Sequence, residues 1–357
     1  MGLMRVPLTW ILIVAITLIS KTAFATYSGP LEIVFGGWGV NNDQFGIEYS
    51  DTLDILPRKF GVTTNGYVVI ADTVNKRIKI YQPNGTLLKI IVPQGLPPDV
   101  MQRIHYWPVD IAYFVANNYV VTMSGKYTQL YNFDGSVLGS FTYPVMMGSV
   151  ISVIADGSLI TVGAGSNYYK YSSSGQLLQS YNTKPLDLGL IDKKSKQTDG
   201  SYRIAVRYPD HVYSIITPGQ SAEMITRDGS GYLYAVQNLT EELNPGTADV
   251  QDILHYRIIR YSFCGKETAR LELPKDIYEQ LPEQPIIGKI QKVVAEYGQP
   301  VVAPNGDVYT WKRTPDKYSI LKWTWVDDPN VPTGPDAPSG LSLMPSTTGL
   351  YLTWQVS

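Results

Sequence analysis

From Leu31 to Trp325 the chain is a succession of short apolar–polar alternations punctuated by Gly, Pro, Asn, Asp and Ser. Alternation with period two marks half-buried strands, and the punctuation marks turns. The pattern predicts strands at Tyr67–Ile70, Arg77–Tyr81 and Leu87–Ile91, and again near Val301–Val302, Val308–Trp311 and Tyr318–Trp325. One stretch differs. Ile286, Ile287, Ile290, Val293, Val294 and Tyr297 recur at helical spacing, which predicts a short amphipathic helix within Pro274–Gly298.

Laid on itself, the chain repeats. Tyr81-Gln82-Pro83-Asn84-Gly85-Thr86-Leu87-Leu88 returns as Tyr131-Asn132-Phe133-Asp134-Gly135-Ser136-Val137-Leu138 and as Tyr171-Ser172-Ser173-Ser174-Gly175-Gln176-Leu177-Leu178. A weaker copy is Tyr261-Ser262-Phe263-Cys264-Gly265-Lys266-Glu267-Thr268, and Tyr213 marks a remnant of a missing one. Each copy is an alternating strand, a turn pair such as Asn84-Gly85 or Asp134-Gly135, and a second strand; such pairs suit two-residue hairpin turns. Further turns stand upstream at Asn65-Gly66, Asp156-Gly157, Asp228-Gly229 and Asn305-Gly306. Four strands, A to D, in about 40–50 residues signal a β-propeller blade.

The segment Ile70-Ala71-Asp72-Thr73-Val74-Asn75-Lys76-Arg77-Ile78-Lys79-Ile80-Tyr81 resembles an NHL repeat, and Phe35-Gly36-Gly37-Trp38-Gly39 with Phe45 resembles the link between such units. The resemblance implies an all-β propeller of about six blades. In that reading Leu31–Phe35, similar to Leu87–Ile91, is the outer strand of the last blade and closes the ring, so that no edge stays open. The fourth blade, near 186–219, lacks an identifiable outer strand. Asp72, Asn75 and Arg77 form the repeat motif; Asp72 and Arg77 are read as pinning the loop between strands B and C.

The ends read differently. Residues 1–25 carry Arg5, an apolar run from Val6 to Ile19 and Ala23-Phe24-Ala25, the pattern of a cleaved signal peptide. The apolar run is shorter than a spanning helix needs, so membrane insertion after cleavage is not expected. The propeller is assigned to 26–327. Residues 328–336 form a Pro-rich linker. Residues 337–357, with Ala337-Pro338 and Trp354, resemble the start of a fibronectin type III sandwich. They are too few to complete one, so an incomplete domain is expected.

Composition narrows the function. The formal net charge is -2, and losing Arg5 and Lys21 makes it -4, which offers no basic footprint for nucleic acid. One Cys excludes an intramolecular disulfide, and three His leave little for a histidine metal centre. No nucleophile elbow, zinc-protease helix or phosphate-binding loop is present. In a propeller the A–B and C–D turns share one face, and the B–C loops and D–A links share the other. The long segments Val92–Pro108, Asn238–Leu254 and Pro274–Gly298 all fall on the B–C face, where binding is expected.

The first segment carries Arg103, His105, Tyr106 and Trp107; the aromatics either stack on a sugar or clasp a peptide, or they pack between blades. The second carries Glu241, Asp249 and Asp252, a solvated acidic loop that could take calcium without having the usual calcium-loop spacing. No cofactor is otherwise expected. Asn84, Gly85, Asp134, Gly135, Gly175 and Gly265 are structural turn residues. The expected function is a non-catalytic module that binds protein or glycan, in a multidomain protein that is secreted, on the cell surface or periplasmic. The alternative, implied by the resemblance, is a propeller enzyme of lyase or lactonase type with a metal near the channel.

Overall fold

The computed structural model describes residues 26–49, 54–93, 119–124, 127–142, 150–153, 158–162, 167–183, 185, 191–208, 213–219, 222, 224–243, 251–279, 292–326, 342–346 and 349–353. Every regular element among them is a strand. The signal-like segment, the linker, Trp354 and Arg103 to Trp107 lie outside the described residues, as do Asp156-Gly157, Asp249, Ile286, Ile287 and Ile290.

Strand β1 (Thr26–Gly37) is followed by five meanders, each pairing strands consecutive in the chain. The first holds β2 (Phe60–Val62), β3 (Val68–Asp72), β4 (Arg77–Tyr81) and β5 (Leu87–Ile91). The second holds β6 (Tyr119–Ser124), β7 (Tyr127–Asn132) and β8 (Val137–Thr142). The third holds β9 (Val150–Val153), β10 (Leu159–Val162), β11 (Tyr168–Tyr171) and β12 (Leu177–Tyr181). The fourth holds β13 (Ile191–Lys196), β14 (Tyr202–Arg207) and β15 (Tyr213–Ile216). The fifth holds β16 (Met224–Arg227), β17 (Leu233–Leu243), β18 (Gln251–Tyr261) and β19 (Glu267–Glu272).

The next sheet is composite. Strands β20 (Ile277–Glu279), β21 (Lys292–Tyr297), β22 (Val301–Val302), β23 (Val308–Arg313) and β24 (Lys317–Val326) join β1 in the order β1-β24-β23-β21-β20, with β22 also on β23. The expectation of about six blades is thereby corrected to five meander blades, with a composite sheet beside them. The cause is local. Strands β21 and β22 occupy one lane beside β23, through Glu296↔Arg313 and Val302↔Val308; Gly298 N still donates to Trp311 O at 2.9 Å, and the lane breaks after it, at Gln299 and Pro300. Proline brings no N–H to a ladder. Val293, Val294 and Tyr297 lie in β21 rather than in a helix.

Neighbouring sheets share cores. Val68, Ile70 and Tyr81 of the first blade pack with Ile33, Tyr309, Trp311, Tyr318 and Ile320 of the composite sheet. Val69, Ile78, Ile80 and Ile91 pack with Tyr131 of the second blade. Ile204, Val206 and Ile216 pack with Leu233, Ala235, Ile259 and Tyr261 between the fourth and fifth. The fifth also touches the composite sheet, where Gly229 N donates to Pro304 O at 2.6 Å. Successive meanders packed face to face give a β-propeller-like fold.

The repeated hairpins differ from the expected two-residue turns. In each, five residues carry two backbone bonds: Gln82 N donates to Thr86 O and Gly85 N to Gln82 O, both at 2.8 Å. The same pair recurs at 63–67, 132–136, 172–176, 197–201, 228–232, 262–266 and 303–307. These are three-residue loops, a tight turn followed by a left-handed glycine and a bulge. Asn84 itself stays right-handed, and Gly85 has φ 85°. At 228–232 the left-handed residue is Gly231 and not Gly229. The register shift falls on Tyr81, Tyr131, Tyr171 and Tyr261, all buried, which explains the recurring tyrosine. Gly85 also presses on the composite sheet: a Cβ there would lie 1.7 Å from Ile33 O.

In the fourth meander β15 is the last strand of the sheet among the described residues. The hairpin at Gly265 seats on its backbone at Ile215 O. Separately, β25 (Ser342–Ser346) and β26 (Gly349–Thr353) pair as a hairpin, in a unit distinct from Ser28–Thr324.

Candidate functional site

The B–C end of the first blade is built on Asp72 and Arg77, which face each other across the last pair of β3 and β4. Arg77 Nε donates to Asp72 Oδ2 at 2.7 Å, and Asn75 Nδ2 donates to the same oxygen at 3.0 Å. These bonds close the turn. The motif also holds the link that follows β1. Gly46 N donates to Asp72 Oδ1 at 2.8 Å, and Asn75 Nδ2 donates to Gly39 O at 2.9 Å. Arg77 donates to Val40 O at 2.9 Å, Asn41 O at 2.7 Å and Gln44 O at 2.8 Å.

Lys79 completes this arrangement and was not singled out from the sequence. It is fully buried, donates to Asn42 O at 2.8 Å and to Gln44 O, and lies 4.0 Å from Asp72 Oδ2. Its ammonium stands 4.1 Å from the centre of the Phe45 ring, a cation–π contact. Burial pushes its pKa down to about 8, against the pull of Asp72. The link is further fixed by Gly39 N to Phe45 O at 2.8 Å, Phe45 N to Gly37 O at 2.9 Å and Trp38 Nε1 to Thr314 O at 3.1 Å.

Beside it lies a knot of ion pairs on the composite sheet. Arg313 reaches Asp54 at 2.6 Å and Glu296 at 2.5 Å, and Arg58 reaches Glu296 at 3.0 Å while lying over Trp311. Asp276 is buried here and accepts from Tyr297 N at 2.8 Å and from the Tyr278 hydroxyl at 3.3 Å. Burial raises its carboxyl to about 6, with Glu296 adding to the rise. Sequence reading missed these residues, since they come from segments far apart in the chain.

The acidic segment Asn238–Leu254 is not mainly a loop. Strands β17 and β18 stay paired from Leu233↔Tyr261 to Leu243↔Gln251, whereas β16 ends its pairing at Val236 and β19 at Arg257. A two-stranded ribbon therefore extends past both flanking strands. Glu241 lies on it and binds Lys275 at 2.5 Å, which lowers its carboxyl. Asp252 stands opposite Glu242 in the register. His255 is buried on the ribbon, 3.9 Å from Glu272. The turn residues Asn84, Gly85, Asp134, Gly135, Gly175 and Gly265 sit at hairpins that join a blade's last two strands, the end opposite the B–C turns. No group of three or more His, Cys, Asp or Glu able to hold a metal occurs among the described residues.

No family model matches the sequence, and no curated protein matches it. Solved structures resemble it in outline. A member of the DUF4221 family from Bacteroides vulgatus has TM-score 0.47 at 10% identity, over 86% of this chain and 100% of its own. A catalytically inactive virginiamycin B lyase from Staphylococcus aureus has TM-score 0.38 at 12% identity, over 84% and 100%. BamB from Moraxella catarrhalis has TM-score 0.35 at 10% identity, over 86% and 93%. The fold described above rests on its own sheet order and packing.

Proposed function

We propose that this chain is a non-catalytic binding module of an exported, multidomain protein, with its B–C face taking a protein or glycan ligand. The observation that carries this reading is the ribbon of β17 and β18, which extends past both neighbouring strands on that face. A hairpin projecting from a fixed sheet offers side chains and unpaired backbone edges to a partner, whereas a hairpin ending with its blade does not. Within the same reading the propeller is NHL-like, β1 closes the ring against β24, residues 1–25 direct export, and residues 337–357 belong to a fibronectin-like module. The reading needs no resident cofactor.

The test shortens the ribbon. Residues 240–254 are replaced by a four-residue Asn-Gly turn, and the purified chain is screened beside the parent on a glycan array and by pull-down from surface extracts of the source cell. A ligand held by the parent and lost by the shortened chain, with both melting alike, supports the reading. Equal binding by both chains removes the ribbon from the function.

A further inference from the structure

The link from Trp38 to Gly46 has two sides of different character. Its inner side is backbone: the carbonyls of Gly39, Val40, Asn41, Asn42 and Gln44 all accept bonds from Asn75, Arg77 or Lys79. Its outer side is side chains: Val40 is 76% exposed, and Asn41, Asn42 and Asp43 are exposed. The backbone is also wedged in place. A Cβ at Gly36 would lie 2.1 Å from Asp43 O, and one at Gly39 would lie 2.2 Å from the Gln44 side chain.

Taking two cations out of water costs several kcal/mol each before their partners repay it. Here that cost fixes the shape of a four-residue tip that buries none of its own side chains. A tip held this way loses little freedom on binding, which favours affinity. Its chemistry is one β-branched apolar group followed by two carboxamides, each with a donor and an acceptor that match a peptide unit. Residues 40–43 carry no ring to stack on a sugar. Asp43 gives the tip one negative charge, which faces solvent while its field also favours the charged form of the buried Lys79.

We infer that Val40–Asn42 is a preformed contact loop for an extended polypeptide segment of a protein partner. Val40 packs on an apolar side chain of that segment, and the amides of Asn41 and Asn42 pair with its main chain. This rests on the reading of the B–C face as a binding face and gives that face a second element and a partner class.

The probe is a phage-displayed library of random linear peptides, panned on the full chain. Peptides it enriches are then synthesised and titrated against the parent, Val40→Asp, and the chain with the shortened ribbon. The expected result is enrichment, with Kd weakened roughly tenfold or more by Val40→Asp, as for an anchor side chain at an interface. Melting should be unchanged, because the side chain is already in water. Enriched peptides that ignore Val40→Asp overturn the inference; if the shortened ribbon loses them, the binding function itself stands. No enrichment overturns it, and so does a glycan ligand that Val40→Asp abolishes, which would assign the loop to another class of partner.

Discussion

Lys79 stands in a strand reading Arg-Ile-Lys-Ile-Tyr, where alternation directs the cation to solvent, yet all five residues of β4 are buried. The alternation is intact; what covers Lys79 is a link some thirty-five residues upstream, which strand periodicity cannot register. Asp72, Asn75 and Arg77 were legible as a motif, and their hold on that distant link was not. The burial has a pH signature. A lysine whose folded pKa is about 8 against 10.5 binds fewer protons when folded, so stability rises as pH climbs from about 8 towards 10.5. Urea midpoints of the parent should climb over that range relative to Lys79→Met, whose own curve lacks the step; parallel curves would mean that Lys79 is hydrated. Asp276 acts with the opposite sign. Its folded pKa of about 6 exceeds 3.8, so its contribution is full below 3.8 and is lost as pH rises to about 6. Asp276→Asn should therefore gain on the parent between pH 4 and 6.5, by up to about 3 kcal/mol. No gain in the urea midpoint would mean that the carboxyl ionises without penalty.

At the scale of elements, the glycines located the hairpins correctly but not their length. Asn-Gly and Asp-Gly suit a two-residue turn as well as a three-residue one, and the choice is settled by the bulge at the preceding tyrosine. The sequence of the ribbon's outer half reads as a loop because it carries polar residues on a hairpin that outruns both flanking strands, where alternation loses its meaning. Two glycines separate the cost of the turn from that of the contact it makes. Gly85 and Gly200 close like turns with φ 85° and 83°. A Cβ at Gly200 meets nothing within 4 Å, whereas one at Gly85 meets Ile33 O at 1.7 Å. Gly200→Ala should cost about 1–2 kcal/mol, the left-handed penalty alone. Gly85→Ala should cost a further 1–3 kcal/mol for overpacking. Equal costs in urea unfolding would show that the hairpin does not rest on β1 in solution.

For the whole molecule, the internal repeat was the strongest signal, because each hairpin keeps its tyrosine and glycine at fixed offsets and can be matched without knowing the fold. The repeat fades where a sheet is assembled from separated pieces, as β1, β21 and β22 are around β23 and β24. The ion-pair knot shared by Asp54, Arg58, Glu296 and Arg313 was invisible for that reason. The pairing of β1 with β24 has a mechanical consequence. Ser28 bonds to Thr324, while Glu32 meets Lys317 and Ser319, so the two strands run in opposite directions. The polypeptide therefore enters and leaves this unit at neighbouring points. Tension applied through its flanks would open that pair of strands one rung at a time, like a zip, instead of loading all rungs together. In a stretched chain the unit would hang to one side and add almost nothing to the length until that seam gave way.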